Sequence, residues 1–160
     1  LYSYGHRNPQ GLAWQPGTGQ LYATEHGPTA HDEVNLIRPG ANYGWPEVRG
    51  REGAERGFVL PVAESGTDTW APVGAAFYTG PHFPQWQGHL FFAGLRSATL
   101  WHLAPAASQP QPLLAGQYGR LRDVAQGPDG FLYLLTSNRD GRGSPTAEDD
   151  RLIRVNPGRL

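Results

Sequence analysis

Residues 12–22 read LAWQPGTGQLY, in which a Pro-Gly-Thr-Gly segment separates two short apolar runs. Residues 124–133, VAQGPDGFLY, repeat this pattern with one residue fewer in the turn. Proline and glycine favour a tight turn at these positions, so each copy predicts a strand, a turn and a second strand. A weaker third copy, FPQWQGHLFF, occupies residues 83–92, and its Leu90 lies 42 positions before Leu132. The chain is therefore expected to repeat one small antiparallel unit.

The spacing of the copies indicates a β-propeller, whose blades recur every ~40 to 50 residues. Two further strands are predicted at residues 99–103 (TLWHL) and 151–155 (RLIRV), where apolar and polar residues alternate. Residues 49–69 are polar and rich in glycine and are predicted to form a long loop crossing between blades, and residues 138–149 another loop. We expect an all-β fold of about three to four blades with few helices.

The composition excludes several classes of protein. With 22 glycines and 15 prolines in 160 residues, the chain has many turns and few places for a long helix. Its formal net charge of −1 argues against a nucleic-acid partner, which would require a surplus of basic side chains. No apolar run approaches the ~18 residues of a membrane span. Cysteine is absent, which excludes disulfides and cysteine-based metal sites.

Two polar turn clusters flank the strand predicted at residues 21–24. The first is His6–Gly11 (HRNPQG) and the second is Glu25–Pro28 (EHGP). They come from neighbouring loops of one antiparallel unit, and loops held by a rigid sheet often carry binding and catalytic residues. The segments RNPQGLA, EHGP, DEVNLI and NYGWP follow one another at short spacings. Through them the chain resembles the glucose/sorbosone dehydrogenase family, soluble aldose sugar dehydrogenases that use pyrroloquinoline quinone (PQQ) and calcium on a six-bladed β-propeller.

The resemblance implies that both clusters bind the cofactor. PQQ is a tricarboxylic ortho-quinone, so its pocket needs fixed positive charges and a divalent cation. Arg7 and Asn8 are implied to lie at the quinone oxygen, where donors stabilise the negative charge that develops as hydride arrives. The main-chain carbonyls of Gly27 and Pro28 are implied to bind Ca²⁺, which accepts backbone oxygen ligands readily. His26 adjoins these carbonyls and is expected to contact the cofactor or the substrate.

Three more arginines are cofactor ligands by resemblance. Arg96 lies where the family has Lys or Arg, and Arg120 and Arg122 match an Arg-x-Arg-Asp motif that binds the PQQ carboxylates. Alternation along an extended segment places Arg120 and Arg122 on the same side, so both can reach one anion. The residues alone leave an alternative open, a solvated strand edge at which Asp123 pairs with one arginine.

A second, structural calcium ion occurs near the DEVNLI segment in some family members. The matching ligands would be the Glu33 carboxylate and the Tyr43 main-chain carbonyl, with further oxygens from water or from the loop acids Glu52 and Glu55. The alternative is a capped turn whose Trp45 packs in the core.

The activity implied by the resemblance is oxidation of aldose sugars to lactones, with hydride transfer to the quinone and electron transfer to an external acceptor. The family's general base is a histidine in the N-terminal half, upstream of residue 1. We therefore expect residues 1–160 to be the C-terminal part of a single propeller catalytic domain, with the N-terminal half as its partner. The family also implies a periplasmic or secreted location. Two alternative functions stay open, a non-catalytic β-propeller binding module and a propeller lactonase.

Overall fold

The computed structural model describes residues 1–159, which form three antiparallel sheets in which consecutive strands pair. We call these sheets the first, second and third blade. The first blade comprises β1 (Pro9–Trp14), β2 (Leu21–Glu25), β3 (Glu33–Ile37) and β4 (Ala63–Glu64). The second comprises β5 (Pro72–Phe77), β6 (Leu90–Gly94), β7 (Thr99–Leu103) and β8 (Gln111–Leu113). The third comprises β9 (Leu121–Gln126), β10 (Leu132–Thr136) and β11 (Leu152–Arg154).

In the part of the chain that the structure describes, helix is confined to three single 3₁₀ turns, Ala54–Arg56, Pro84–Trp86 and Pro157–Arg159. Among residues 1–159, no helix has the length and hydropathy required to span a lipid bilayer. The all-β prediction is confirmed, and residues 1–159 form three blades, the lower of the two expected numbers.

The two clear repeat copies form the predicted hairpins. Trp14 pairs with Leu21 across the Pro-Gly-Thr-Gly turn, and Gln126 pairs with Leu132 across the Gly-Pro-Asp-Gly turn. The shorter turn closes with a hydrogen bond from the Gly127 N–H to the Phe131 carbonyl at 2.8 Å. Turn chemistry and alternation therefore specified these strands, and β7 begins and ends at the predicted residues.

Two sequence predictions were wrong in part. Residues 83–87 of the third copy are not a strand, because Pro84 begins a 3₁₀ turn and the strand before it, β5, ends at Phe77. Residues 49–69 are not simply a loop between blades, because they contain β4, which pairs with β3 in the first blade. A strand of two residues is too short to show alternation, which explains why the pattern did not reveal it.

The first strands of the three blades lie next to one another, β1 against β5 and β5 against β9. The approach of β5 to β9 depends on Gly74, because a Cβ there would lie 1.6 Å from Asp123 Oδ1. Small residues in β5 thus let the blades come close enough to place loops from all three at the same end.

The hydrophobic core lies between blades. In β6 every residue is buried, and alternate side chains face opposite neighbours. Leu90 and Phe92 pack in the cluster shared with the first blade, whereas Phe91 and Ala93 pack in the cluster shared with the third. The second blade therefore contributes side chains to the core on both of its faces.

Candidate functional site

The predicted site residues lie at one edge of the three blades. In an antiparallel meander the start of the first strand, the end of the second and the start of the third share an edge. Residues 7–8 directly precede β1, residues 26–28 follow β2, and Arg96 lies in the turn between β6 and β7. Arg120 and Arg122 lie at the start of β9. The fold therefore brings residues that are distant in sequence to the same side of the molecule.

The connection between β2 and β3 is a compact loop that requires glycine at position 27. A Cβ on Gly27 would lie 1.9 Å from the carbonyl oxygen of Ala30. The Gly27 N–H donates to Asp32 Oδ1 at 3.0 Å, and the His26 N–H donates to the Asn8 carbonyl at 3.0 Å. The loop is thus closed on itself and tied to the segment before β1.

Carbonyl oxygens of this loop converge on the guanidinium of Arg7. Arg7 Nη1 donates to the Gly27 carbonyl at 2.7 Å and to the His26 carbonyl at 3.2 Å. The guanidinium also lies over the ring of Trp45, with Cζ 5.4 Å from the ring centroid, and Trp45 is 36% exposed rather than fully packed in the core. The loop therefore presents backbone oxygens to a cation, in direct contact with a predicted cofactor ligand.

His26 has a buried Nε2 atom with no hydrogen-bond partner among residues 1–159. Burial lowers the pKa of His26, which favours the neutral ring. Asp32 opposes this shift, whereas the positive charges of Arg7 and Arg122 lower the pKa further. Arg122, on the third blade, thus lies close enough to His26, on the first blade, to lower its pKa. A buried nitrogen without a partner is a position that a ligand or a water molecule can satisfy.

Arg120 and Arg122 contact the carboxylate of Asp140, in the loop after β10. Arg120 Nε and Nη2 donate to Asp140 Oδ2 at 3.0 and 2.9 Å, and Arg122 Nη2 lies 3.6 Å from the same oxygen. The two arginines therefore share one side of the chain, as predicted, whereas Asp123 accepts the N–H of Val124. The hydrogen bond from Arg120 holds the pKa of Asp140 below its usual range. This pair of arginines thus already binds one ionised carboxylate.

A cleft of about 370 Å³ lies beside these arginines, between the second and third blades. Its basic lining residues are Arg96, Arg120, Arg142 and Arg151. The buried acid of the cleft, Asp149, is bound to Arg151 Nε at 2.9 Å. Within the described part of the chain, no acidic side chain forms an ion pair with Arg96 or Arg142. The cleft therefore presents uncompensated positive charge to an anionic ligand.

Glu25 and Glu33 form a buried acidic pair on adjacent strands of the first blade. They are directly opposite in the register of β2 and β3, and their exposed fractions are 4% and 7%. Burial, assisted by the charge of Glu25, raises the pKa of Glu33 to about 8, although hydrogen bonds from Asn35 and Gly50 oppose the shift. His6 Nδ1 lies 3.1 Å from Glu25 Oε2. The ring of His6 thus contacts the carboxylate of Glu25.

A cavity of about 10 Å³ beside the acidic pair brings the two predicted calcium ligand sets together. Its lining includes Gly27, Pro28, Glu33 and Tyr43. The volume is close to that needed by one water molecule or ion. Glu52 and Glu55 are not among the lining residues, whereas Glu25 is. No group of three or more His, Asp or Glu side chains within residues 1–159 is arranged to hold a metal, so a cation here would depend on main-chain oxygens.

Two acids that organise the site had no role in the sequence prediction. Asp32 accepts the Trp70 N–H, 38 positions along the chain, and Asp140 accepts from Arg120, 20 positions before it. Each acid directly precedes a strand or a turn glycine, which is a weak local signal. Their partners are non-local and could not be read from spacing.

A protein-family model described as glucose/sorbosone dehydrogenase matches residues 1–154. The chain belongs to this family. Aldose sugar dehydrogenase YliI of Escherichia coli is 37% identical over 98% of this chain and 44% of the relative. Quinoprotein glucose dehydrogenase B of Acinetobacter calcoaceticus is 58% identical over 50 residues, 31% of this chain and 10% of the relative. The PQQ-bound aldose sugar dehydrogenase of Streptomyces coelicolor superposes with a TM-score of 0.83 and 46% identity, over 96% of this chain and 44% of that structure.

The chain spans less than half the length of the Escherichia coli and Streptomyces coelicolor relatives, 44% in each case. The similarity confirms the predicted family and the prediction of a partial β-propeller. The roles of individual residues remain predictions.

Proposed function

We propose that residues 1–160 are the C-terminal part of a six-bladed propeller that oxidises aldose sugars to lactones with PQQ and Ca²⁺. An external acceptor would receive the electrons. The observation that carries the proposal is the set of cationic side chains at one edge of three successive blades, in a chain whose net charge is only −1. Relatives named for aldose sugar oxidation and for PQQ binding support the substrate class and the cofactor.

The residues present fit an anionic, calcium-bound cofactor in three respects. The His26 and Gly27 carbonyls converge on the Arg7 guanidinium, which stands in for a cation. The two arginines at the start of β9 bind the Asp140 carboxylate, the chemical group that PQQ presents three times. His26 Nε2 lacks a partner among the described residues.

When bound, PQQ supplies a quinone that accepts a hydride from the anomeric carbon of the sugar. Arg7 and Asn8 would donate hydrogen bonds where negative charge develops, and the carbonyls of Gly27 and Pro28 would hold the Ca²⁺. The arginines of the β6–β7 turn and of β9 would bind the cofactor carboxylates. The general base that takes the hydroxyl proton is proposed to come from the N-terminal half.

We propose that a second, structural calcium ion binds Glu33 and the Tyr43 main-chain carbonyl, with Glu25 as a further oxygen donor. All three residues line the ion-sized cavity of the first blade. Calcium requires an ionised carboxylate, whereas burial favours the protonated form of Glu33. Binding would therefore release a proton and strengthen as the pH rises.

The proposed activity is tested by loading the full-length protein with PQQ and Ca²⁺ and following reduction of an artificial acceptor dye with a panel of aldoses. Turnover is expected to need both PQQ and Ca²⁺, and NAD should not replace PQQ because the sequence lacks a GxGxxG motif. PQQ binding without turnover of any aldose would favour the binding module. Calcium-dependent hydrolysis of a lactone without PQQ would favour the lactonase.

The first and third blades expose apolar faces, and we propose that the N-terminal half of the protein covers them. The first blade carries an apolar groove of about 440 Å³ that includes Leu12 and Trp14, which are 55% and 61% exposed. The third blade exposes Leu135 and Leu152. Uncovered faces of this kind favour aggregation, because each blade of a repeat fold stabilises its neighbours.

Residues 1–160 alone are therefore expected to aggregate or to unfold without cooperativity, and mixing with the N-terminal half should restore a sharp transition. Size-exclusion chromatography and thermal unfolding measure both properties. A soluble monomer with a sharp two-state transition would contradict this part of the proposal. A periplasmic or secreted location is also proposed, on the family resemblance, and cell fractionation tests it.

A further inference from the structure

Asp32 is a buried acid whose carboxylate accepts three backbone N–H groups. Its exposed fraction is 2%. Oδ1 accepts from the Gly27 N–H at 3.0 Å, and Oδ2 accepts from the Trp70 and Ala71 N–H groups at 2.7 and 2.8 Å. The backbone of Asp32 is itself fixed, because its N–H donates to Ser65 Oγ and its carbonyl accepts the Ser65 N–H, both at 2.9 Å.

These hydrogen bonds join the loop after β2 to the next blade. Gly27 lies in the loop after β2 of the first blade, whereas Trp70 and Ala71 directly precede β5 of the second. Within residues 1–159 no basic side chain forms an ion pair with Asp32. Its carboxylate is therefore bound by N–H groups, and it lies close to the loop after β2.

The bond to Gly27 also sets the direction of a carbonyl. The Gly27 N–H and the His26 carbonyl belong to the same peptide unit, and in a trans peptide these two groups point in opposite directions. With the N–H directed at Asp32, the His26 carbonyl points to the other side, where it accepts from Arg7. Asp32 thus lies on one side of the His26–Gly27 peptide unit, and the His26 carbonyl lies on the other, facing Arg7.

We infer that Asp32 is a positioning residue for the loop after β2: it fixes the His26–Gly27 peptide unit directly before the Gly27 and Pro28 carbonyls proposed to bind Ca²⁺, and supports them with its negative charge. This inference rests on the proposed function. Outer partners of metal ligands typically change metal affinity by 10- to 100-fold when they are removed. Loss of the Asp32 carboxylate should therefore weaken Ca²⁺ binding by about that factor.

The test compares Asp32→Asn and Asp32→Ala with a matched control, Thr24→Val. Asparagine is isosteric but keeps one acceptor oxygen, and its NH₂ group would face a backbone N–H, so it cannot replace all three bonds. Thr24 is also buried, and its hydroxyl donates to the Val73 carbonyl at 2.7 Å. The control therefore removes a hydrogen bond between the same two blades but leaves the loop after β2 unchanged.

Ca²⁺ is titrated into the full-length protein at fixed PQQ, with the absorbance of bound PQQ as the readout. The Asp32 variants should need about 10- to 100-fold more Ca²⁺ for half-saturation and should reach the wild-type end point in excess Ca²⁺. Thr24→Val should titrate like the wild type. Equal shifts in the control and in Asp32→Asn, wild-type half-saturation in both Asp32 variants, or a lower end point that excess Ca²⁺ does not restore would overturn the inference. A wild-type protein that binds PQQ without any Ca²⁺ dependence would overturn the proposed function, and the inference with it.

Discussion

Replacing Arg122 with alanine is expected to weaken PQQ binding by about 10- to 150-fold and to leave folding almost unchanged. A hydrogen bond between a guanidinium and a carboxylate contributes about 1.5–3 kcal/mol, which corresponds to that range of dissociation constants. The Arg122 side chain is 43% exposed, and its bond to Ser137 Oγ is 3.2 Å long. Exposed contacts of this kind contribute at most about 1 kcal/mol to folding, so the loss should appear in binding.

Arg120→Ala should behave differently, although the two arginines share the Asp140 carboxylate. Arg120 is only 13% exposed, and its guanidinium donates to Asp140 twice and to the Leu95 carbonyl at 3.3 Å. Removing it leaves a partly buried acceptor without its donor, which typically costs about 1–3 kcal/mol of folding free energy. Both PQQ affinity and stability are therefore expected to fall in this variant.

Titration of the full-length apo-protein with PQQ at saturating Ca²⁺ measures affinity, and urea unfolding measures stability. Arg56→Ala is the matched control, because Arg56 pairs with Glu47 and lies over Phe58, in the loop between β3 and β4. Arg56→Ala should leave PQQ affinity unchanged and should lower the free energy of unfolding by no more than about 1 kcal/mol, as expected for an exposed ion pair. Unchanged PQQ affinity in Arg122→Ala would refute the assignment of this arginine to the cofactor and leave it as a solvated residue of β9.

Two further predictions concern stability. Burial raises the pKa of Glu33 from 4.5 to about 8. Between these two pH values Glu33 is ionised in the unfolded chain and protonated in the folded chain. The free energy of unfolding should therefore fall by up to about 1.4 kcal/mol per pH unit as the pH rises. Chemical unfolding in EDTA across this pH range should show the slope in the wild type and a flatter profile in Glu33→Gln, and identical profiles would contradict the shift. Tyr78→Phe should destabilise the protein by at least about 2 kcal/mol, because the buried hydroxyl accepts from the N–H groups of His82 and Phe83 and donates to the Gly130 carbonyl, and each group would lose its partner. A melting temperature equal to that of the wild type would show that water replaces the hydroxyl.

The sequence predicted those strands whose boundaries are set by local turn chemistry. The two strands of the β1–β2 hairpin and of the β9–β10 hairpin are connected by proline and glycine turns and show alternation, so their residues could be assigned directly. β5 and β8 were not predicted. β5 reads PVGAAF, which shows no clear alternation, and its Gly74 is required by the close approach to β9. β8 has three residues and a central proline, which by itself argues against a strand.

In the candidate site, too, the sequence predicted what depends on residue type and local pattern but not what depends on contacts between loops. Positive charges can be located from sequence because the residue type carries the charge, and Arg120 and Arg122 are on one side of the chain as alternation requires. Their partner Asp140 and the bonds of Asp32 depend on how loops of different blades meet, which spacing along the chain does not encode. The shifted pKa of Glu33 likewise results from burial opposite Glu25, a property of the register between β2 and β3.

The cationic groups of the site come from all three blades, with Arg7 from the first, Arg96 from the second and Arg122 from the third. Like charges held at one edge repel each other, and the local ion pairs offset only part of this repulsion. An anion with several carboxylates would contact the three blades at once and replace repulsion with attraction. Its binding free energy would therefore add to the stability of the blade contacts, by mass action, as well as to that of the complex. A cofactor bound in this way would be part of what holds the blades in register, which is a physical reason for distributing its ligands over consecutive blades rather than collecting them on one.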